Sequence, residues 1–157
     1  MKVTISSLAG LLTACLALAL GLSACSTTTA ERTPPAGDGA PSVSALEEQY
    51  GIRIEGIRLT AAGTMLDFRY RIVDPDRAVA LVDRTKKPYL IDQASGLKVA
   101  VPSPAKLGPL RATDKYGKPK AGRTYYVLFG NPGRFIEQGS RVTVVIGEFR
   151  AEDLVVR

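Results

Sequence analysis

Leu66-Asp67-Phe68-Arg69-Tyr70-Arg71-Ile72 puts Leu66, Phe68, Tyr70 and Ile72 on one face and Asp67, Arg69 and Arg71 on the other. Strict alternation of this kind predicts a strand with one face in a core and one face in water. Upstream, Ile52 and Ile54 share one parity, whereas Ile57 and Leu59 share the other. The phase changes at Gly56, where a β-bulge would place its extra residue. Taking Thr60-Ala61-Ala62-Gly63 as the loop sets Leu59 opposite Thr64 and Ile57 opposite Leu66. Beyond the bulge, Ile54 then meets Phe68 and Ile52 meets Tyr70. One bulge makes the register consistent, and a bulged hairpin is therefore predicted.

Similar segments recur outward from it. Asp74-Pro75-Asp76 ends the strand, and a short helical turn is expected over 76–81. Tyr89-Leu90-Ile91 and Leu97-Lys98-Val99-Ala100-Val101 flank Ala94-Ser95-Gly96 as a second hairpin. Thr124 to Phe129, a turn through Asn131-Pro132-Gly133, Val142 to Ile146 with Phe149, and Leu154-Val155-Val156 complete the pattern. About seven short strands between turn signals predict an all-β chain: a single antiparallel β-sandwich, Ig-like, over residues 45–157. A helical turn is expected at its start, with Ser44 as cap and Glu47 three residues on.

Composition removes much chemistry. The chain has 157 residues, suited to one domain, and no histidine. Its two cysteines, Cys15 and Cys25, both lie near the start. Zinc fingers, Ser-His-Asp triads, Cys-His nucleophiles and disulfide scaffolds are excluded for the body of the chain. Copper would need Met, Cys or His ligands, and Met65 is the one methionine beyond the start. Asp67, Asp74, Asp76 and Asp83 lack the Gly and distal Glu of an EF-hand loop; Asp74 or Asp76 reads instead as a cap. No metal and no cofactor is expected. Ser103-Pro104-Ala105-Lys106 matches Ser-x-x-Lys literally, but the surrounding prolines forbid the helix that motif requires. Catalysis would have to come from a cleft holding two of Asp67, Asp83, Asp92 or Glu148, and the expectation is that the protein is not an enzyme.

Residues 1–24 have a positive start and an apolar run from Leu8 to Leu20, long enough for a signal peptide and shorter than the ~20 residues a membrane span needs. The run leads into Leu22-Ser23-Ala24-Cys25. This string resembles the lipobox of bacterial lipoproteins, which implies cleavage before Cys25 and lipidation of its thiol. The body looks like that of small exported β-sandwich lipoproteins. Leu12-Thr13-Ala14-Cys15 also fits the pattern but would leave Leu16–Leu20 exposed and too short an apolar core before it. Ser26, rather than Asp, after the cysteine implies sorting to the outer membrane. Residues 25–44, rich in Ser, Thr, Pro, Gly and Ala, form the lipidated residue and a flexible tether.

The net charge is +6, and it is uneven. Between Arg84 and Arg123 lie ten basic residues against Asp92 and Asp114. Much of this sits in the long stretch 102–122, which points to an anion-facing loop carrying Lys106, Arg111, Lys115, Lys118, Lys120 and Arg123. Tyr125 and Tyr126 face opposite ways in a segment apolar on both sides, read as a central core strand whose outward tyrosine could flank Arg123 and Arg134. The expected role is a lipid-anchored periplasmic interaction module at the outer membrane, binding an acidic protein or anionic envelope polymer and no nucleic acid. A sheet-edge subunit of an envelope assembly is the alternative. Cys25→Ser should shift the protein from the membrane to the soluble fraction on envelope fractionation, and Cys15→Ser should leave it membrane-bound; retention of the Cys25→Ser protein would contradict this assignment.

Overall fold

The computed structural model describes residues 42–114 and 118–157; the leader, Cys15, Cys25, most of the tether and Lys115 lie outside them. The chain forms α1 (Val43–Gln49), β1 (Ile52–Thr60), β2 (Met65–Ile72), α2 (Val79–Val82), β3 (Tyr89–Asp92), β4 (Lys98–Ala100), β5 (Thr124–Gly130), β6 (Arg141–Ile146) and β7 (Phe149–Val155). The strands make two antiparallel sheets, ordered β1-β2-β5 and β4-β3-β6-β7. This is the expected seven-stranded sandwich. An Ig constant-type sandwich sets its fourth strand beside the fifth; here β4 pairs with β3 instead. The place beside β5 is taken by residues 110–112: Ala112 N–H donates to Tyr126 O and Leu128 N–H to Leu110 O.

The first hairpin forms with its bulge between Ile54 and Gly56, as the phase change predicts, but its register differs. Leu59 pairs with Leu66, Ile57 with Phe68, Ile54 with Tyr70 and Ile52 with Ile72. The four-residue loop lies one position later than expected, at 61–64, and Ala61 and Ala62 take left-handed φ of 49° and 54°. A two-residue slide keeps every side chain on its face, so the hydrophobic pattern alone cannot detect it. Gly56 has φ of +124°, a conformation open to glycine and costly for other residues.

Phe68, Tyr70, Tyr125, Val127 and Phe129 from one sheet pack against Leu90, Val142, Val144, Ile146 and Phe149 from the other, all buried. Tyr70 and Tyr125 stack with centroids 6.1 Å apart. The run Val142–Ile146 is buried throughout, which explains its lack of alternation: β6 lies inside its sheet with both neighbours paired. The start of the domain is also corrected. Ser42, not Ser44, caps α1 by accepting from Ala45 N–H, and Glu47 reaches across to Ile54 N–H at 2.7 Å. The residue three before Ala45 has the geometry to receive that N–H.

Beyond β5, Asn131 is fully buried and joins three segments. Its Nδ2 donates to Gly63 O and Ile136 O, and its Oδ1 accepts from Ile136 N–H. Asn131→Ala strands these groups without solvent and should cost about 3 kcal/mol, read as a lowered midpoint in urea unfolding; a midpoint equal to that of the native chain would contradict the arrangement.

Candidate anion-facing surface

The stretch 102–122 is fastened to the sandwich at several points. Leu107 and Gly108 N–H both donate to Pro104 O, closing a turn whose tip carries Lys106 and Leu107, the latter 77 % exposed. Residues 110–112 then run along β5, Pro119 is buried, and Arg123 N–H returns to Lys120 O. The basic residues consequently separate. Lys106 lies in the 104–108 turn, which follows Pro102 where that residue packs on Gly130 at the end of β5. Lys118, Lys120 and Arg123 lie where the chain enters β5, a strand spanning roughly 20 Å.

Arg111 does not belong to the surface. It is 7 % exposed; Nη2 donates to Leu81 O, Nη1 donates to Lys86 O at 2.9 Å, and Nε has no partner among the described residues. Burial pulls its guanidinium below its ordinary value, offset in part by Tyr70 and Asp83. Tyr70 Oη donates to the same Leu81 carbonyl, and burial holds its phenol well above the usual range. Arg111 therefore clamps α2 and the segment after it to the edge of β5. A long guanidinium stem adjacent to a strand edge can fold inward when main-chain carbonyls await it. Sequence density treats it as one more solvated charge.

A second set of cations, which density in the sequence could not reveal, assembles on the outer face of β1, β2 and β5. Arg53 pairs in register with Arg71, Gly56 with Arg69, Arg58 with Asp67 and Arg69 with Tyr126. All four arginines are exposed, and so is Tyr126, at 41 %. The two acids among them are already neutralised. Asp67 Oδ2 accepts from Arg58 Nη2 at 3.1 Å and Arg69 Nε at 2.9 Å, while Glu55 Oε1 accepts from Arg71 Nε and Thr124 Oγ1. This face runs into the Lys118–Arg123 cluster, because Ile72 N–H donates to Arg123 O and Arg71 Nη1 to Gly122 O. The outward tyrosine thus lies beside Arg69 rather than between Arg123 and Arg134; Arg123 instead sits over the buried Tyr125 ring. Nor is β5 central: it pairs with β2 on one side and only with the 110–112 segment on the other, and its second apolar face is Leu128 lying opposite Asp67.

The carboxylates considered for catalysis or metal binding do not converge. Asp67 is on β2 in one sheet, Asp92 ends β3 in the other, and Glu148 lies in the β6–β7 turn. Asp92 accepts from Ser95, and Asp83 is held below the usual carboxylate range by hydrogen bonds from Thr85. Asp74 caps the turn after β2, accepting from Asp76 N–H, as the sequence suggests for that position. Among the described residues no group of three or more His, Cys, Asp or Glu could hold a metal ion.

Arg111→Met should lower stability by about 3 kcal/mol, since two buried carbonyls lose their donors, and should leave polyanion binding within twofold; a binding loss without a fall in melting temperature would contradict the inward role. No family model, curated protein or solved structure matches the chain.

Proposed function

We propose that this protein is a lipid-anchored, non-enzymatic interaction module of the cell envelope, held at the periplasmic side of the outer membrane through Cys25. It binds an acidic protein or an anionic envelope polymer. The contact lies on the outer face of β1, β2 and β5 together with Lys118, Lys120 and Arg123, not along the whole 102–122 stretch. The observation that carries it is the continuity of Arg53, Arg69 and Arg71 on one face whose acids are already paired, with Arg71 reaching the Gly122 carbonyl beside Arg123. Extra positive charge on a rigid sheet attracts a polyanion over about a Debye length and holds it at low cost in side-chain ordering. The anchor rests on the leader sequence. Lipidation with more than one acyl chain suffices for stable attachment, leaving this face free for its partner.

Strand addition finds less support. On the three-stranded sheet, one edge is occupied by residues 110–112, and the far half of β1 pairs with Val156 and Arg157. On the four-stranded sheet, β4 offers only Lys98–Ala100, and β7 is interrupted by a register shift with Asp153 at φ of 55°. Short and bulged edges resist pairing.

Full-length protein should bind immobilised polyglutamate at low salt and elute by roughly 0.5 M salt, where exposed charges are screened within a few ångströms. Combining Arg53→Glu, Lys120→Glu and Arg123→Glu should weaken binding at least tenfold, whereas Lys106→Glu should change it less than twofold. Retention that persists at high salt, or that depends on Lys106 instead, would contradict the proposal.

A further inference from the structure

The bulge that reverses the phase of β1 also opens a notch in the outer face. Gly56 has no side chain, and no heavy atom lies within 4 Å of where a Cβ would stand. Around it is a concavity of about 340 Å³ bounded by Glu55, Gly56, Arg58, Asp67, Arg69 and Arg157. Arg157 is brought there by main-chain pairing: its N–H donates to Ile57 O, and its O accepts from Leu59 N–H, both at 3.0 Å.

Asp67 sets the geometry of this notch. It is 5 % exposed, yet one oxygen, Oδ2, takes Arg58 Nε at 3.3 Å, Arg58 Nη2 at 3.1 Å and Arg69 Nε at 2.9 Å. Its other oxygen is buried without a partner among the described residues. A buried carboxylate bound this unevenly contributes little to stability on its own account. What it does is fix two guanidinium groups side by side. Their remaining donors, Arg58 Nη1 and Arg69 Nη1 and Nη2, have no acceptor among the described residues, and both side chains are about half exposed. The other acid lining the notch, Glu55, accepts from Arg71 and Thr124.

From this arrangement we infer that the Gly56 notch is a binding site for a phosphoryl group carried as a phosphomonoester. A carboxylate has two oxygens and one charge, which a single guanidinium fork already matches. Three guanidiniums, from Arg58, Arg69 and Arg157, suit a tetrahedral group of nearly two negative charges with three accepting oxygens. Donors fixed in advance lose little entropy on binding. The inference deepens the polyanion reading and rests on it: the notch would hold one phosphate of a longer anionic ligand lying across the arginine face. Such a phosphate could belong to a sugar or to a lipid headgroup, and the chemistry of the notch is the same for both.

The full chain should be titrated with glucose 1-phosphate, with vesicles containing phosphatidic acid, and with acetate as the carboxylate control, following amide shifts of Gly56 and Arg69. Saturable shifts with either phosphomonoester support the site, and the tighter of the two identifies the source. Arg157→Gln, which removes no side-chain hydrogen bond among the described residues, should weaken binding at least tenfold with an unchanged melting temperature. Arg58→Lys, which keeps the charge and loses the fork, should weaken it by a similar factor. Acetate binding as well as the phosphomonoesters, or binding within twofold of the native chain in Arg157→Gln, would overturn the inference. Loss of polyglutamate retention in the Arg53, Lys120 and Arg123 variant, with no phosphomonoester binding by the native chain, would defeat the notch alone; failure of both would defeat the surface.

Discussion

The bulged pairing of β1 with β2 is the constraint from which the rest follows. One extra residue between Ile54 and Gly56 lets Ile52 and Ile57, which differ in parity, both bury themselves against β2. With the inner face thus fixed, the outer face has no freedom: Arg53, Arg58, Arg69 and Arg71 must emerge together, because each alternates with a buried neighbour. The same device that completes the core therefore builds the charged surface and leaves the glycine-floored gap within it.

The second constraint is the fastening of residues 102–122. A stretch this long without strands would be expected to move freely or to serve function directly. Here it supplies β5 with a substitute neighbour at 110–112 and sends one guanidinium inward to α2. Edge protection and stapling are thus combined in one segment. Its exposed lysines are consequently distributed by where the segment touches the sandwich, not by their spacing in the chain.

This explains what was legible in the sequence and what was not. Strand positions, hairpin partners and the bulge at Gly56 could be read because each depends on local periodicity and turn chemistry. The two-residue register offset could not, since it changes partners without changing faces. The inward turn of Arg111 needed knowledge of which carbonyls α2 presents, a tertiary fact. The arginine face was invisible to a charge count along the chain, which found the part of the molecule outside 84–123 slightly acidic; Asp67 and Glu55 offset half of its four arginines, and the acids elsewhere outside 84–123 outweigh the rest. Read across the strands instead of along them, the alternation in Asp67-Arg69-Arg71 opposite Arg53 and Arg58 was the available signal.

Function then reduces to which charged surface meets the partner: the sheet face with its neighbouring Lys118–Arg123 turn, or the projecting Lys106–Leu107 tip. Amide shift mapping of the full-length protein with polyglutamate decides this most directly. The largest shifts should fall on Arg53, Arg69, Arg71, Gly122 and Tyr126, with the 104–108 turn unmoved. Shifts centred on 104–108, with the outer face of β1 and β2 unchanged, would contradict it.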